Sequence, residues 1–191
     1  MTQPILWASL KSFYLFLLVN IKRKVDEMDS TTTKTMFSSK SNEWATPQSF
    51  YERLDEVHSF TLDPCSDLQN KKCKKFYTTE DNGLVQSWQG EVVFMNPPYG
   101  RQIKNWIRKA YQEGQKPGTR VVCLLPARTD TKYWHDYCMK AETIHFVKGR
   151  LKFGDSKNAA PFPSAVVVFD GDKQTNTPQV TAMTNGGSVC L

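Results

Sequence analysis

Three runs in this chain are apolar without alternation: Val92-Val93-Phe94-Met95, Val121-Val122-Cys123-Leu124-Leu125 and Ala165-Val166-Val167-Val168-Phe169. A strand with one wet face alternates apolar and polar residues. A strand that does not alternate is covered on both sides, as in sheets sandwiched between helices. Between the first two runs, Ile103, Trp106, Ile107 and Ala110 recur at helical spacing. This order predicts an α/β fold, a mostly parallel sheet with helices on both faces. Thr46-Pro47 reads as a helix start, with Thr46 capping and Pro47 in the first turn, and Phe50, Leu54 and Val57 share the following face. Phe60-Thr61-Leu62 reads as a strand ending at Asp63-Pro64, and Phe76-Tyr77 as another. Asp130 is expected to cap a short helix through Tyr133, Trp134 and Tyr137. Thr143–Val147 and Ser164–Phe169 have no convincing helix between them, which predicts a terminal antiparallel pair. Beyond Gly171 the chain turns polar and is expected to fray.

With 191 residues, 39% of them hydrophobic, the chain suits one packed domain. Its formal charge of +6 is compatible with a polyanionic partner and equally with an ordinary basic protein. Five cysteines at irregular spacing, without C-x-x-C or paired histidines, argue against structural zinc and for reduced thiols, and no metal is expected. Residues 1–35 stand apart. They hold the apolar run Phe13–Val19, too short for a spanning helix, followed by Lys22-Arg23-Lys24. A membrane-associating segment, an accessory helix and a start assigned too far upstream compete for this stretch. The last is favoured, with Met28 or Met36 as the start, and no membrane partner is expected. The segment carries five Lys/Arg and three Asp/Glu, a net +2, so +4 of the total +6 remains without it. The expected organisation is an atypical extension over 1–35, a main domain over 36–172 and a polar tail over 173–191.

The first apolar run ends directly in Asn96-Pro97-Pro98-Tyr99. In open α/β sheets, ligands bind beyond the carboxyl ends of strands. Each proline fixes its own φ, lacks an amide donor and pushes the residue before it away from helical angles. The result is a stiff corner that presents the Asn96 side chain and nearby carbonyls as acceptors, with a tyrosine ring beside them. An aryl amine is a poor nucleophile because its lone pair is delocalised into the ring. Two acceptors on its N–H groups favour a more pyramidal nitrogen whose lone pair can meet an electrophilic methyl group. Such catalysis is positioning and electrostatics, without a covalent enzyme intermediate. A double proline after a strand also serves purely structural ends.

Further segments accompany this one: Asn42-Glu43-Trp44-Ala45-Thr46-Pro47, Leu62-Asp63-Pro64-Cys65-Ser66, Asn82-Gly83-Leu84 with Trp88, Gly149-Arg150-Leu151-Lys152-Phe153-Gly154 and Ala160-Pro161-Phe162-Pro163-Ser164. In this order, from about Met36 to Asp170, the chain resembles the phage-encoded Dam-type DNA N-6-adenine methyltransferases. The resemblance implies a Rossmann-like class I fold with a terminal antiparallel strand and S-adenosyl-L-methionine as methyl donor. It also implies transfer to N6 of an adenine flipped out of double-stranded DNA, in a bacterial host cytoplasm, by a monomer or weak dimer. Asn96, Pro97, Pro98 and Tyr99 map onto the catalytic and base-binding segment, with Tyr99 expected to stack on the base. Thr46, Pro47 and Asp63 map onto the cofactor side, and Asp81 onto the acid that meets the ribose. One departure stands out: Asp63-Pro64-Cys65-Ser66-Asp67 follows the first strand where many methyltransferases carry a glycine-rich turn.

Other residues divide between roles. Trp44 either lines the cofactor pocket or staples the helix start. Trp106 and Trp134 are expected in the core, and His58, His135 and His145 are assigned no chemistry. Arg128, Lys132, Arg150 and Lys152 are candidates for DNA phosphates, and the cluster Asn70-Lys71-Lys72-Cys73-Lys74-Lys75 is a candidate for a phosphate contact or a contact to cofactor-side elements, against a reading as solvated loops. The alternatives to DNA methylation are transfer to RNA or to a protein glutamine, and a catalytically silent DNA-binding module of the same fold.

Overall fold

The computed structural model describes residues 44–154, 156, 158–173 and 175–190. The apolar run and both alternative starts lie outside these residues. In chain order the strands are Leu62–Asp63 (β1), Lys75–Phe76 (β2), Val92–Met95 (β3), Arg120–Pro126 (β4), Thr143–Lys148 (β5), Ser164–Asp170 (β6), Gln179–Thr184 (β7) and Val189–Cys190 (β8). They form one sheet in the order β2-β1-β3-β4-β6-β5-β7-β8. Strands β1 to β4 run parallel, β6 lies antiparallel between β4 and β5, and β8 is antiparallel to β7. Only β6 and β8 therefore oppose the common direction. The expected mixed α/β sheet and the antiparallel β5–β6 pair are both present.

Helices Gln48–His58 (α1) and Ile103–Glu113 (α2) cover opposite faces, while the short Lys132–Asp136 (α3) joins α2. The register fixes the assignment. Phe94, Val122 and Val168 are mutual partners and share one face, on which Tyr51 of α1 meets Phe94 at 5.1 Å between ring centroids. Val93, Val121 and Phe169 share the other, on which Tyr111 of α2 meets Phe169 at 5.9 Å. Every residue of β6 is buried, as its unbroken apolar sequence requires.

Four expectations need correction. Val57 is 72% exposed, because the buried face of α1 centres on Phe50, Tyr51 and Leu54 and leaves Val57 at its rim in the last turn. Pro47, not Thr46, takes the N-cap position, and Thr46 makes no capping bond because its hydroxyl is engaged elsewhere. Thr131 rather than Asp130 precedes α3, again without a side-chain cap. The polar stretch after Gly171 does not fray: β7 pairs with β5 along six residues, from Thr143↔Gln179 to Lys148↔Thr184. A strand next to the rim of a sheet, with one face wet, needs few apolar residues, and Met183 alone in β7 is buried. Gly187 then turns the chain into β8 against α1, where an added Cβ would sit 2.7 Å from the Arg53 Cβ.

Candidate active site

From β1 the sheet grows one way to β2 and the other way to β3. The carboxyl ends of β1 and β3 thus flank a topological switch point, where open α/β sheets bind ligands. Asp63 ends the first strand and Asn96 follows the second. Between them opens a cleft of about 260 Å³, with Trp44, Thr46, Asp63, Asn82, Phe94, Asn96, Pro98 and Trp106 among its walls. Polar groups and aromatic surface converge on one concavity, as a ligand with both characters requires.

Asp63 is buried, yet among the described residues no cation forms a salt bridge with it. Its Oδ2 accepts the Lys72 backbone N–H at 3.0 Å and its Oδ1 the Cys65 N–H at 3.4 Å. Burial raises its pKa to about 6, against the opposing pull of these two amides. Tyr51 steadies the loop by donating its hydroxyl to the Lys72 carbonyl at 2.9 Å.

The turn after β1 has no glycine, but a distant one serves it. A Cβ on Gly83 would sit 2.0 Å from the Pro64 carbonyl oxygen, so only glycine lets the 82–84 turn close onto this backbone. Asn82 beside it has φ of 51°, a left-handed conformation that asparagine tolerates. Composition near β1 gave no hint of this contact. The Asn-Gly dipeptide at 82–83 is the signal that points to it.

Asn96 is held by its side chain. Its Nδ2 donates to the Trp44 carbonyl at 2.5 Å and to the Thr46 Oγ1 at 2.8 Å. Its backbone N–H reaches the sulfur of Cys65, whose pKa burial raises well above the ordinary thiol value. The Asn96 Oδ1 is buried without a hydrogen-bond partner among the described residues. An unsatisfied buried acceptor costs about 1–3 kcal/mol, and one that persists at a cleft wall calls for a ligand that donates to it.

Thr46, Asp63, Asn96, Pro97 and Pro98 thus meet at one cleft, and Trp44 lines it rather than stapling α1. Three other expected residues do not face it. Pro47 turns away into the first turn of α1, where its carbonyl accepts the Phe50 and Tyr51 amides. Asp81 is exposed, and its Oδ2 accepts the backbone N–H and hydroxyl of Thr78, both at 2.9 Å, so it caps its own turn and does not line the cleft. Tyr99 is buried: Trp44 stacks on it at 6.5 Å, and Phe162 and Phe153 meet it edge-on at 5.5 and 6.1 Å. Its ring offers no free face to a base in this conformation.

Of the basic residues, Lys75 pairs with Glu91 at 2.6 Å, Lys71 lies 4.3 Å over the Phe76 ring, and Lys72 donates to Gln48. That cluster is largely engaged within the fold. Arg128, Lys132, Arg150 and Lys152 are exposed, and none pairs with a carboxylate among the described residues. Trp134 is core as expected, whereas Trp106 is both core and cleft wall.

The model of the DNA N-6-adenine-methyltransferase (Dam) family matches residues 31–184, from ahead of Trp44 through β7. The chain belongs to this family. It is a DNA adenine methyltransferase, acting at N6. Among its relatives, the DNA N-6-adenine-methyltransferase of Haemophilus phage HP1 is 30% identical over 136 residues, 66% of this chain and 78% of the relative. That of Escherichia phage T1 is 29% identical over 110 residues, 56% of this chain and 45% of its own length. A putative methyltransferase, YfdM, of Escherichia coli is 34% identical over 65 residues, 30% of this chain and 71% of that protein. A crystal structure of a predicted O-methyltransferase from Agrobacterium tumefaciens overlaps 57% of this chain and 52% of its own at 13% identity and a TM-score of 0.32, too slight a likeness to argue from. Among the described residues no helix is long and apolar enough to cross a membrane.

Proposed function

We propose that the cleft between β1 and β3 binds S-adenosyl-L-methionine and that Asn96 receives the N6 amine of an adenine flipped out of double-stranded DNA. The observation that carries this reading is the unpartnered Oδ1 of Asn96 at the cleft wall. The residues present suit the cofactor. Asp63, Asn82 and neighbouring polar groups match its hydroxyls and ammonium, and Phe94 and Trp106 match a purine ring. When bound, the cofactor supplies a methyl group on a positively charged sulfur.

Asn96 and the Pro97 carbonyl accept the two N–H groups of the amine. This favours a pyramidal nitrogen and turns its lone pair toward the methyl group. With the cofactor bound, its methyl group would pass to this nitrogen and the sulfur would leave as a neutral thioether. Asparagine cannot take up a proton, so the proton lost from the methylated amine leaves to water. Trp44, whose carbonyl holds the Asn96 amide, and Phe162, its ring 5.0 Å from that of Trp44, are only partly buried and supply aromatic surface to offset unstacking, while Tyr99 and Phe153 back them from within the core. The exposed Arg128, Lys132, Arg150 and Lys152 follow β4 and β5 at this same edge and suit DNA phosphates.

The test uses the full chain with methyl-labelled cofactor and unmethylated duplex DNA, digested to nucleosides. The label is expected in N6-methyladenine. Asn96→Ala is expected to lower turnover about 10²–10³-fold while cofactor Kd changes less than about twofold, by analogy with removal of a transition-state hydrogen bond. Equal losses in turnover and cofactor affinity, or label in RNA or protein alone, would overturn the reading.

A further inference from the structure

The sense of the Asn96 amide decides what it can do. With oxygen toward the target it accepts from an amine, whereas with nitrogen toward the target it sets donor against donor. Oxygen and nitrogen of an amide are told apart by their partners. The Trp44 carbonyl can only accept, so the group 2.5 Å from it is the Asn96 NH2. The second N–H of that group is taken by the Thr46 Oγ1 at 2.8 Å. Both donors are thereby used and the Oδ1 alone is left over. Thr46 is itself 5% exposed and makes no capping bond to α1, so its hydroxyl has no other evident task in the fold. The partners are 50 and 52 residues away in sequence, so the arrangement is tertiary and not a local turn.

We propose that Thr46 is a positioning residue for methyl transfer: together with the Trp44 carbonyl it locks the Asn96 amide so that oxygen, not nitrogen, meets the target amine. The proposal rests on the reading of Asn96 as the acceptor of that amine. It gives the Thr-Pro segment a task beyond the cofactor contact that the family resemblance implies. The Gly154 N–H, bonded to the Ala45 carbonyl at 2.8 Å, holds the strap between Trp44 and Thr46 from its other side.

Thr46→Val removes the hydroxyl at nearly constant shape, and Thr46→Ser keeps it. In single-turnover assays with full-length protein and duplex DNA, Thr46→Val is expected to slow methyl transfer about tenfold, one hydrogen bond's worth. Cofactor Kd by calorimetry stays within about twofold and Thr46→Ser recovers most of the rate, as expected for positioning. In an Asn96→Ala background, Thr46→Val should add no further loss, because the amide it orients is gone. A raised cofactor Kd with an unchanged rate, or full additivity of the two substitutions, would overturn the proposal. If Asn96→Ala itself retains activity, the reading of Asn96 fails first. If Asn96→Ala is inactive and Thr46→Val transfers at the parental rate, only the positioning role fails.

Discussion

The two edges of the sheet treat charge in opposite ways. At the amino edge, almost every buried or half-buried charge has a partner. The Asp170 Oδ2 accepts from the Arg120 Nη2 at 2.7 Å and Nε at 3.0 Å. Glu113 receives Lys109, Lys116 and the Trp88 backbone N–H. Glu91 holds Lys75 and Thr61, and Glu142 holds Lys173. His58 is kept neutral there, its pKa lowered to about 4 by burial and by the nearby Arg120. At the carboxyl edge, Asp63 is buried without a cation, Asn96 carries an orphan oxygen, and Arg128, Lys132 and Lys152 stand without carboxylates among the described residues. The amino edge spends its polar groups on one another and on stability. The carboxyl edge leaves them open, which costs stability and matches what a charged cofactor and a polyanion would supply.

The largest effect on this contrast should come from breaking a pair at the amino edge. Asp170→Ala strands Arg120 and is expected to cost about 3 kcal/mol in denaturant unfolding, as for a largely buried ion pair deprived of one partner. Methyl transfer per folded molecule should stay at the parental value, and a matching loss of single-turnover rate would blur the division between edges.

Next is Asp63, where stability and binding should move in opposite directions. The folded protein holds this proton up to about pH 6, whereas the unfolded chain releases it near the ordinary value of 3.8. Between those values the unfolded state binds fewer protons, so stability falls as pH rises. The full gap corresponds to about 3 kcal/mol, an upper bound. Asp63→Asn is therefore expected to be more stable than the parent above pH 6, by at most that amount, and not below pH 4. Its cofactor affinity should be lower, and parental affinity should fall as pH drops below about 6. Melting curves and calorimetry at pH 4 and 7.5 give both readouts, and unchanged affinity would remove Asp63 from the binding site.

The smallest effect is the most specific to the contrast. Replacing Arg128 and Lys132 by alanine should weaken DNA binding severalfold and reduce the slope of log K against log salt by about 2 if each meets one phosphate. Replacing Lys116 and Lys173 at the amino edge should leave that slope unchanged.

The sequence read most clearly where a single periodicity decides the outcome. β4, β6 and the Ile103–Ala110 face of α2 lie where unbroken or 3.6-residue apolar patterns place them. Of the cofactor-side expectations Thr46, Pro47, Asp63 and Asp81, only Thr46 and Asp63 line the cleft, beside Asn96, Pro97 and Pro98. What escaped reading depends on contacts between distant segments. Nothing local distinguishes an Asp81 that caps its own turn from one that faces a ribose. Tyr99 follows its prolines as expected, yet Phe153 and Phe162, arriving from a loop more than fifty residues later, cover its ring. Gly83 performs for Pro64 what a glycine beside β1 would have done. β7 is too polar to announce itself, because its hold on the sheet is the backbone ladder to β5.

The antiparallel β6 also has a consequence for the order in which the molecule can be completed during its synthesis. It is made after both of its neighbours and fills the place between them, pairing with all seven residues of β4. Until Ser164–Asp170 has left the ribosome, β4 presents an open backbone edge, and β5, with β7 and β8 still to be made, has no strand to pair with. The nascent chain is thus one unfinished sheet, β2-β1-β3-β4, and an unpaired β5 that a single late strand joins, and the loop that carries Phe153 and Phe162 to Tyr99 is fixed at both ends only at that moment.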